Sequence, residues 1–194
     1  MKIVKQYNSG FTLVELIVIT GILVLCGGVI ASIIFNTLRG SKKSANTNAV
    51  TQNGNFALSS ITEVVNKADG IVSTCNNTSS KILLLSSSKT NTVYTISCIG
   101  ETNINISQSN QATGIPIGLP VSLLSPGVRL SDNSCSLKCT QAVPNITGAI
   151  SPNPFIKPLI EISFVLTDLD RSTAADTRAQ ATFRTSVLMR SYEP

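Results

Sequence analysis

The sequence predicts an α+β protein, with one long N-terminal helix followed by a globular body built on antiparallel β-sheet. Three observations carry this reading. Phe11 to Phe35 form a run of 25 residues in which only Thr12, Glu15, Thr20 and Ser32 are polar. Beyond it, Val50, Ala57, Ile61, Val64, Val65 and Ala68 recur with a helical period, so one face of a continuing helix is apolar. Near the C-terminus, Leu159 to Leu166 and Thr182 to Arg190 alternate with the period of two that marks half-buried strands.

The elements follow in order. At 1.5 Å per residue the apolar run spans roughly 37 Å, long enough to cross a ~30 Å hydrocarbon core with some tilt. Cleavable secretory signals have shorter apolar regions and a small-x-small cleavage site, which this run lacks. Leu25 stands before Cys26, where a lipoprotein signal needs a small residue. The helix is expected to run from about Phe11 to Ala68, with Asp69-Gly70 as its stop and Gly70 in the left-handed position. Gly27-Gly28 and Gly54 are its expected weak points. Next, Ile82 to Leu85 and Val93 to Ile99 read as a hairpin joined through Ser86–Asn91, with Tyr94, Ile96 and Cys98 on one face. The stretch from Thr102 to Lys157 holds six of the eight prolines, so short strands and long loops are expected there. The two alternating C-terminal segments, linked by a polar loop, are expected to pair antiparallel.

Composition narrows the function. The chain has 194 residues, 13% of them charged, a formal charge of +5, and no histidine. The absence of histidine excludes Ser-His-Asp and Cys-His catalysis and His-containing zinc sites. The basic residues are thinly spread, without the dense clusters and interleaved aromatics of a nucleic-acid groove. Ser86-Ser87-Ser88-Lys89 formally fits a serine–lysine pattern but lies in a Ser-rich turn. No enzyme activity and no cofactor are expected.

Glu15 is the anomaly. A carboxylate within a bilayer segment is costly and marks function. It is preceded by a short polar segment, Met1 to Gly10, whose charged side chains are Lys2 and Lys5. Gly10-Phe11-Thr12-Leu13-Val14-Glu15 at the head of the apolar run resembles the processing signal of type IV prepilins, pseudopilins and competence pilins. The resemblance covers some 30 residues. It implies a pilin-like fold: a long helix, half in the membrane and half amphipathic, on an antiparallel sheet. It further implies cleavage between Gly10 and Phe11 by a membrane prepilin peptidase, N-methylation of Phe11, and pairing of Glu15 with the Phe11 amine of a neighbouring subunit. The segments would then be a leader (1–10), an assembly helix in the membrane (11–38), its amphipathic continuation (39–69) and an extracytoplasmic body (70–194). The implied partners are the peptidase, other pilin subunits and an assembly platform protein. The strand ending Thr185–Arg190 looks like minor pilins and type II pseudopilins. Without the leader the chain carries 13 basic and 10 acidic side chains, a net +3, which leaves a DNA-binding or adhesive pilin as the alternative.

Cys26 lies in the apolar helix and is expected to pack as a small hydrophobe. Cys75, Cys98, Cys135 and Cys139 lie in the body, an even number in a compartment that permits disulfides. Three pairings are open. Cys75–Cys98 with Cys135–Cys139 is favoured, because the first would staple the hairpin ends and the second would close a short loop. Four-thiolate zinc binding wants closer pairs than these. Asp168, Asp170 and Asp176 are weak calcium candidates, as in the C-terminal loop of some pseudopilins. Their spacing lacks the rhythm and glycine of an EF-hand, so a solvated hairpin loop is the preferred reading. Asn-X-Ser/Thr triplets at Asn76, Asn77, Asn105 and Asn145 read as exposed loops.

Overall fold

In the computed structural model, residues 10, 12–73, 75, 77–98, 102–140, 142–144, 150–152, 157–169 and 178–189 are described. Helix α1 spans Leu13–Lys67. The strands after it are β1 (Gly70–Ile71), β2 (Ser79–Ser80), β3 (Ile82–Ser87), β4 (Thr92–Ser97), β5 (Asn105–Asn110) and β6 (Val121–Ser122). They continue as β7 (Val128–Leu130), β8 (Ser136–Thr140), β9 (Ala142–Pro144), β10 (Ile150–Pro152), β11 (Leu159–Asp168) and β12 (Gln180–Leu188). The chain divides into two compact units, one up to Lys42 and one from Lys43 onward.

The unit up to Lys42 is helical from Leu13 and buries none of its residues. Apolar side chains project all round it, as expected of a helix with no protein core to face. Gly21, Gly27, Gly28 and Gly40 have open space around them.

In the unit from Lys43 onward, α1 becomes one-sided. Val50, Gly54, Ala57, Ile61 and Val65 are buried, at spacings of three, four and seven. The helix ends as its pattern predicts, and Lys67 closes the last turn on Glu63 at 2.5 Å. That hydrogen-bonded cation holds the Glu63 carboxyl below its usual range, and the carboxylate raises Lys67 in turn.

Two antiparallel sheets form the body. The first runs β1-β3-β4-β5-β6; the second runs β12-β11-β8-β2, with β7 also pairing β11. The expected hairpin is β3–β4. Its turn is held by Asp69, whose two carboxylate oxygens each accept from the Ser88 amide at 2.9 Å. Asn91, at φ 50°, supplies the left-handed residue there. Leu85 opposite Tyr94 and Leu83 opposite Ile96 put apolar pairs on the buried face. The expected C-terminal pairing is present as β11–β12. Ile160, Ile162, Phe164 and Leu166 are buried, and Phe164 sits directly opposite Phe183 with ring centroids 5.5 Å apart. One apolar core joins these residues to the buried face of α1.

Four expectations need correction. Gly54 is not a weak point: a Cβ there would run into the Phe183 ring, so the missing side chain lets helix and sheet approach. Gly70 is not left-handed; it pairs with Ser86 in β1–β3, where a Cβ would meet the Ser86 hydroxyl. Asn105 begins β5 and is half-buried rather than in an exposed loop. Finally, the disulfides pair Cys75 with Cys139 and Cys98 with Cys135. Cys135 and Cys139 stand four residues apart along extended chain, a separation of about 13 Å, well beyond the ~7 Å that a disulfide can bridge. Cys135, just before β8, is buried like Leu137 and Cys139 within it, and each cysteine reaches a different partner. Cys98, just past β4, thereby ties the first sheet to the second.

Gly54→Ala is expected to lower the stability of the detergent-solubilised chain by about 1–3 kcal/mol through overpacking. Adding Phe183→Leu should recover part of that loss. Denaturant unfolding measures both variants, and strictly additive losses would mean that Gly54 and the ring do not interact.

Candidate functional site

The residues singled out near the N-terminus fall at the start of α1. Gly10 is exposed, with nothing near the position of a Cβ. Phe11, Lys2 and Lys5 lie outside the described residues. Thr12 caps the helix: its Oγ1 accepts from the Glu15 amide at 3.3 Å, the N-cap to N3 bond that satisfies an orphan donor. Glu15 therefore occupies N3 in the first turn, where a negative charge complements the helix dipole. Its exposed carboxylate has no hydrogen-bond or ion-pair partner among the described residues.

Around Glu15 the surface is aliphatic. Leu13, Val14, Leu16, Ile17 and Val18 are each more than half exposed, and the pattern continues to Leu38. Two threonine hydroxyls within this stretch are satisfied locally. Thr20 donates to the Leu16 and Ile17 carbonyls at 3.0 Å, and Thr37 donates to Ile33 at 2.8 Å. Such back-bonding suits a medium that offers no hydrogen bonds. The helix is long and apolar enough to cross a bilayer, and none of its most apolar window is buried. Cys26 is exposed here beside Leu25, Val29 and Ile30, so within one chain it packs against no core.

The calcium candidates resolve differently. Asp170 and Asp176 lie outside the described residues. Asp168 is not in a solvated loop; it ends β11 and is 7% exposed. Its Oδ2 accepts from Asn46 Nδ2 at 2.7 Å, which ties α1 to the end of β11. Its Oδ1 is buried without a hydrogen-bond partner among the described residues. No three His, Cys, Asp or Glu side chains converge as a metal set among those residues. Asn53 makes a second helix-to-body tie, accepting from the Ser125 amide at 2.8 Å. Asn46 and Asn53 are seven apart and so share a helix face with Val50 and Gly54. Neither was singled out from the sequence, because a polar residue inside an amphipathic pattern reads as solvated until its partner is known.

A polar concavity of about 540 Å³ lies on the outer face of the second sheet. Register places Lys138, Glu161 and Ser186 in one row and Ser136, Ser163 and Arg184 in the next. Lys138 and Glu161 pair at 3.7 Å, and Arg184 has no ion-pair partner among the described residues. The trough offers a cation and hydroxyls but no paired nucleophile and base. Ser86 and Ser87 are buried in β3, and Ser88 and Lys89 form the turn. Set against family models, curated proteins and solved structures, the chain matches none.

Asn46→Ala removes the hydrogen bond to Asp168 Oδ2 and leaves that carboxylate without it in a buried position. The expected loss of stability is about 1–3 kcal/mol. Thermal unfolding of the purified chain measures it. Asn46→Ala/Asp168→Leu should lose less than the single variant, since no buried polar group is then stranded.

Proposed function

We propose that the chain is a prepilin-like structural subunit, cut after Gly10 and assembled into a type IV pilus or type II secretion pseudopilus as a minor component. The carrying observation is the pairing of a Thr12-capped first turn with a carboxylate, Glu15, that has no partner among the described residues, on a largely aliphatic helix surface. That surface must be covered by lipid before assembly and by neighbouring helices after it. In either setting Glu15 needs a cation, and the amine created at Phe11 of an adjacent subunit would supply one. An unpartnered Glu15 then penalises every register except the one that brings an amine to it. The α+β layout, with an amphipathic helical half on an antiparallel body, supports the same reading. The implied partners are the prepilin peptidase, other pilin subunits and the assembly platform, with the precursor single-pass in the cytoplasmic membrane and its body outside. On this reading the protein is not an enzyme and has no cofactor.

A second reading has one observation in its favour. Arg184 and the hydroxyls of the trough could serve an adhesive or DNA-binding pilin, and salt-sensitive binding of DNA by the purified protein would support it.

The test is the amino-terminal peptide of membrane-extracted protein by mass spectrometry. The expected peptide begins at Phe11 and carries one added methyl group. A peptide beginning at Met1 in cells with an active prepilin peptidase would overturn the reading. Glu15→Ala should still be processed, yet enter sheared filaments about tenfold less or worse, since stranding a buried charge costs several kcal/mol.

A further inference from the structure

The two large sheets end in four edge strands, and three of these are short. β1, β6 and β2 have two residues each, whereas β12 runs for nine, Gln180–Leu188. Its register against β11 is unbroken over that length, and it holds no proline and no glycine. Flanking bonds fix which of its backbone groups are used. The Asp168 amide donates to the Ala179 carbonyl and the Met189 amide to the Pro158 carbonyl, both at 3.1 Å. Opposed residues of an antiparallel pair alternate between exchanging hydrogen bonds and facing away. Ala181, Phe183, Thr185 and Val187 therefore turn their amides and carbonyls to β11. Gln180, Thr182, Arg184, Ser186 and Leu188 turn theirs outward, where none has a backbone hydrogen-bond partner among the described residues.

The pattern of this edge decides what fits it. Its outward amides and carbonyls repeat about every 6.8 Å, two residues of antiparallel strand. Extended polypeptide offers acceptors and donors in that rhythm, and nucleic acid and lipid do not. Long edges are ordinarily blunted by proline, bulges or several charges, and β12 has a single charged residue, Arg184. That guanidinium is exposed, has no ion-pair partner among the described residues, and lines the polar trough beside Ser163 and Ser186. A strand added to the edge sets one side chain directly opposite Arg184, on the face that carries the trough. A carboxylate there pairs with the cation, and a basic side chain is repelled. The same charge disfavours a second copy, since full-length antiparallel pairing of β12 with itself puts Arg184 against Arg184. Leu188, 53% exposed, adds an aliphatic contact four residues along.

We propose that β12 is a docking edge for a linear acidic segment of another polypeptide, which adds a strand to the second sheet and sets an Asp or Glu opposite Arg184. The edge and its charge belong to the body, so the proposal does not depend on the prepilin reading.

The test adds a capped nine-residue peptide, Thr alternating with Val around one central Glu, to the full-length detergent-solubilised chain with both disulfides intact. Amide hydrogen exchange is read residue by residue by NMR. At roughly 1 mM peptide the Thr182, Arg184 and Ser186 amides should slow about tenfold or more, while those of Phe183 and Thr185, already bonded to β11, do not change. The same peptide with Lys for Glu should bind several-fold more weakly, and Arg184→Glu should invert that preference. Ser186→Pro removes one outward amide without breaking the β11 ladder and should abolish the protection. If the proline variant fails to fold, the Arg184→Glu inversion still decides the matter. No slowing at that concentration, slowing spread over the whole body, or equal binding of the two peptides would each overturn the proposal. So would outward amides that slow with protein concentration when no peptide is present, since a second copy would then be the occupant. The amino terminus does not enter this readout, so failure of the edge and failure of the prepilin reading are separate results.

Discussion

The close approach of α1 to the second sheet at Gly54 is the constraint on which the body depends. Phe183 lies where a Gly54 side chain would be, and it stacks in turn on Phe164 in the middle of β11. Because β11 pairs with β12, β8 and β7, that one contact positions the strand that organises the second sheet. The flanking ties work from the same helix face. Asn46 reaches Asp168 at the end of β11, and Asn53 reaches Ser125 in the β6–β7 connection. Apolar burial supplies the attraction along this face, while the two amides select one azimuth and one axial position for the helix.

The disulfides complete the arrangement from the other side. β8 carries or adjoins a cysteine at each end, and both are bonded to distant segments: Cys98 beside β4, and Cys75 between β1 and β2. Bridges closing 37 and 64 residues restrict the unfolded chain considerably, each stabilising by roughly 3–5 kcal/mol in the chain-entropy account. They matter here because several body strands are only two or three residues long and gain little from pairing alone. The Cys98–Cys135 bridge adds a covalent cross-link between the two sheets.

The unit up to Lys42 is long and apolar enough to cross a bilayer. No face of its helix is buried, the Thr20 and Thr37 hydroxyls fold back on its own carbonyls, and its anomalous charge sits within the first turn. Thr12 and Glu15 make that turn self-sufficient at its N-terminal end, since the cap does not need a neighbour. The carboxylate does.

Elements governed by local periodicity were legible in the sequence. The amphipathic face of α1, the β3–β4 hairpin and the β11–β12 pair follow from spacings of 3.6 and 2, because those patterns need only one apolar face to be buried. What the sequence could not determine were relations between distant segments. Gly54 reads as a helix defect until Phe183, far along the chain, is seen filling its place. Cys135 and Cys139 read as a short loop until β8 is seen to be extended, which puts their Cα atoms out of bonding range. Asp168 reads as a solvated loop residue until Asn46 is brought against it. In each case the deciding fact is a distance set by packing two sheets and a helix, and one-dimensional spacing carries no information about it.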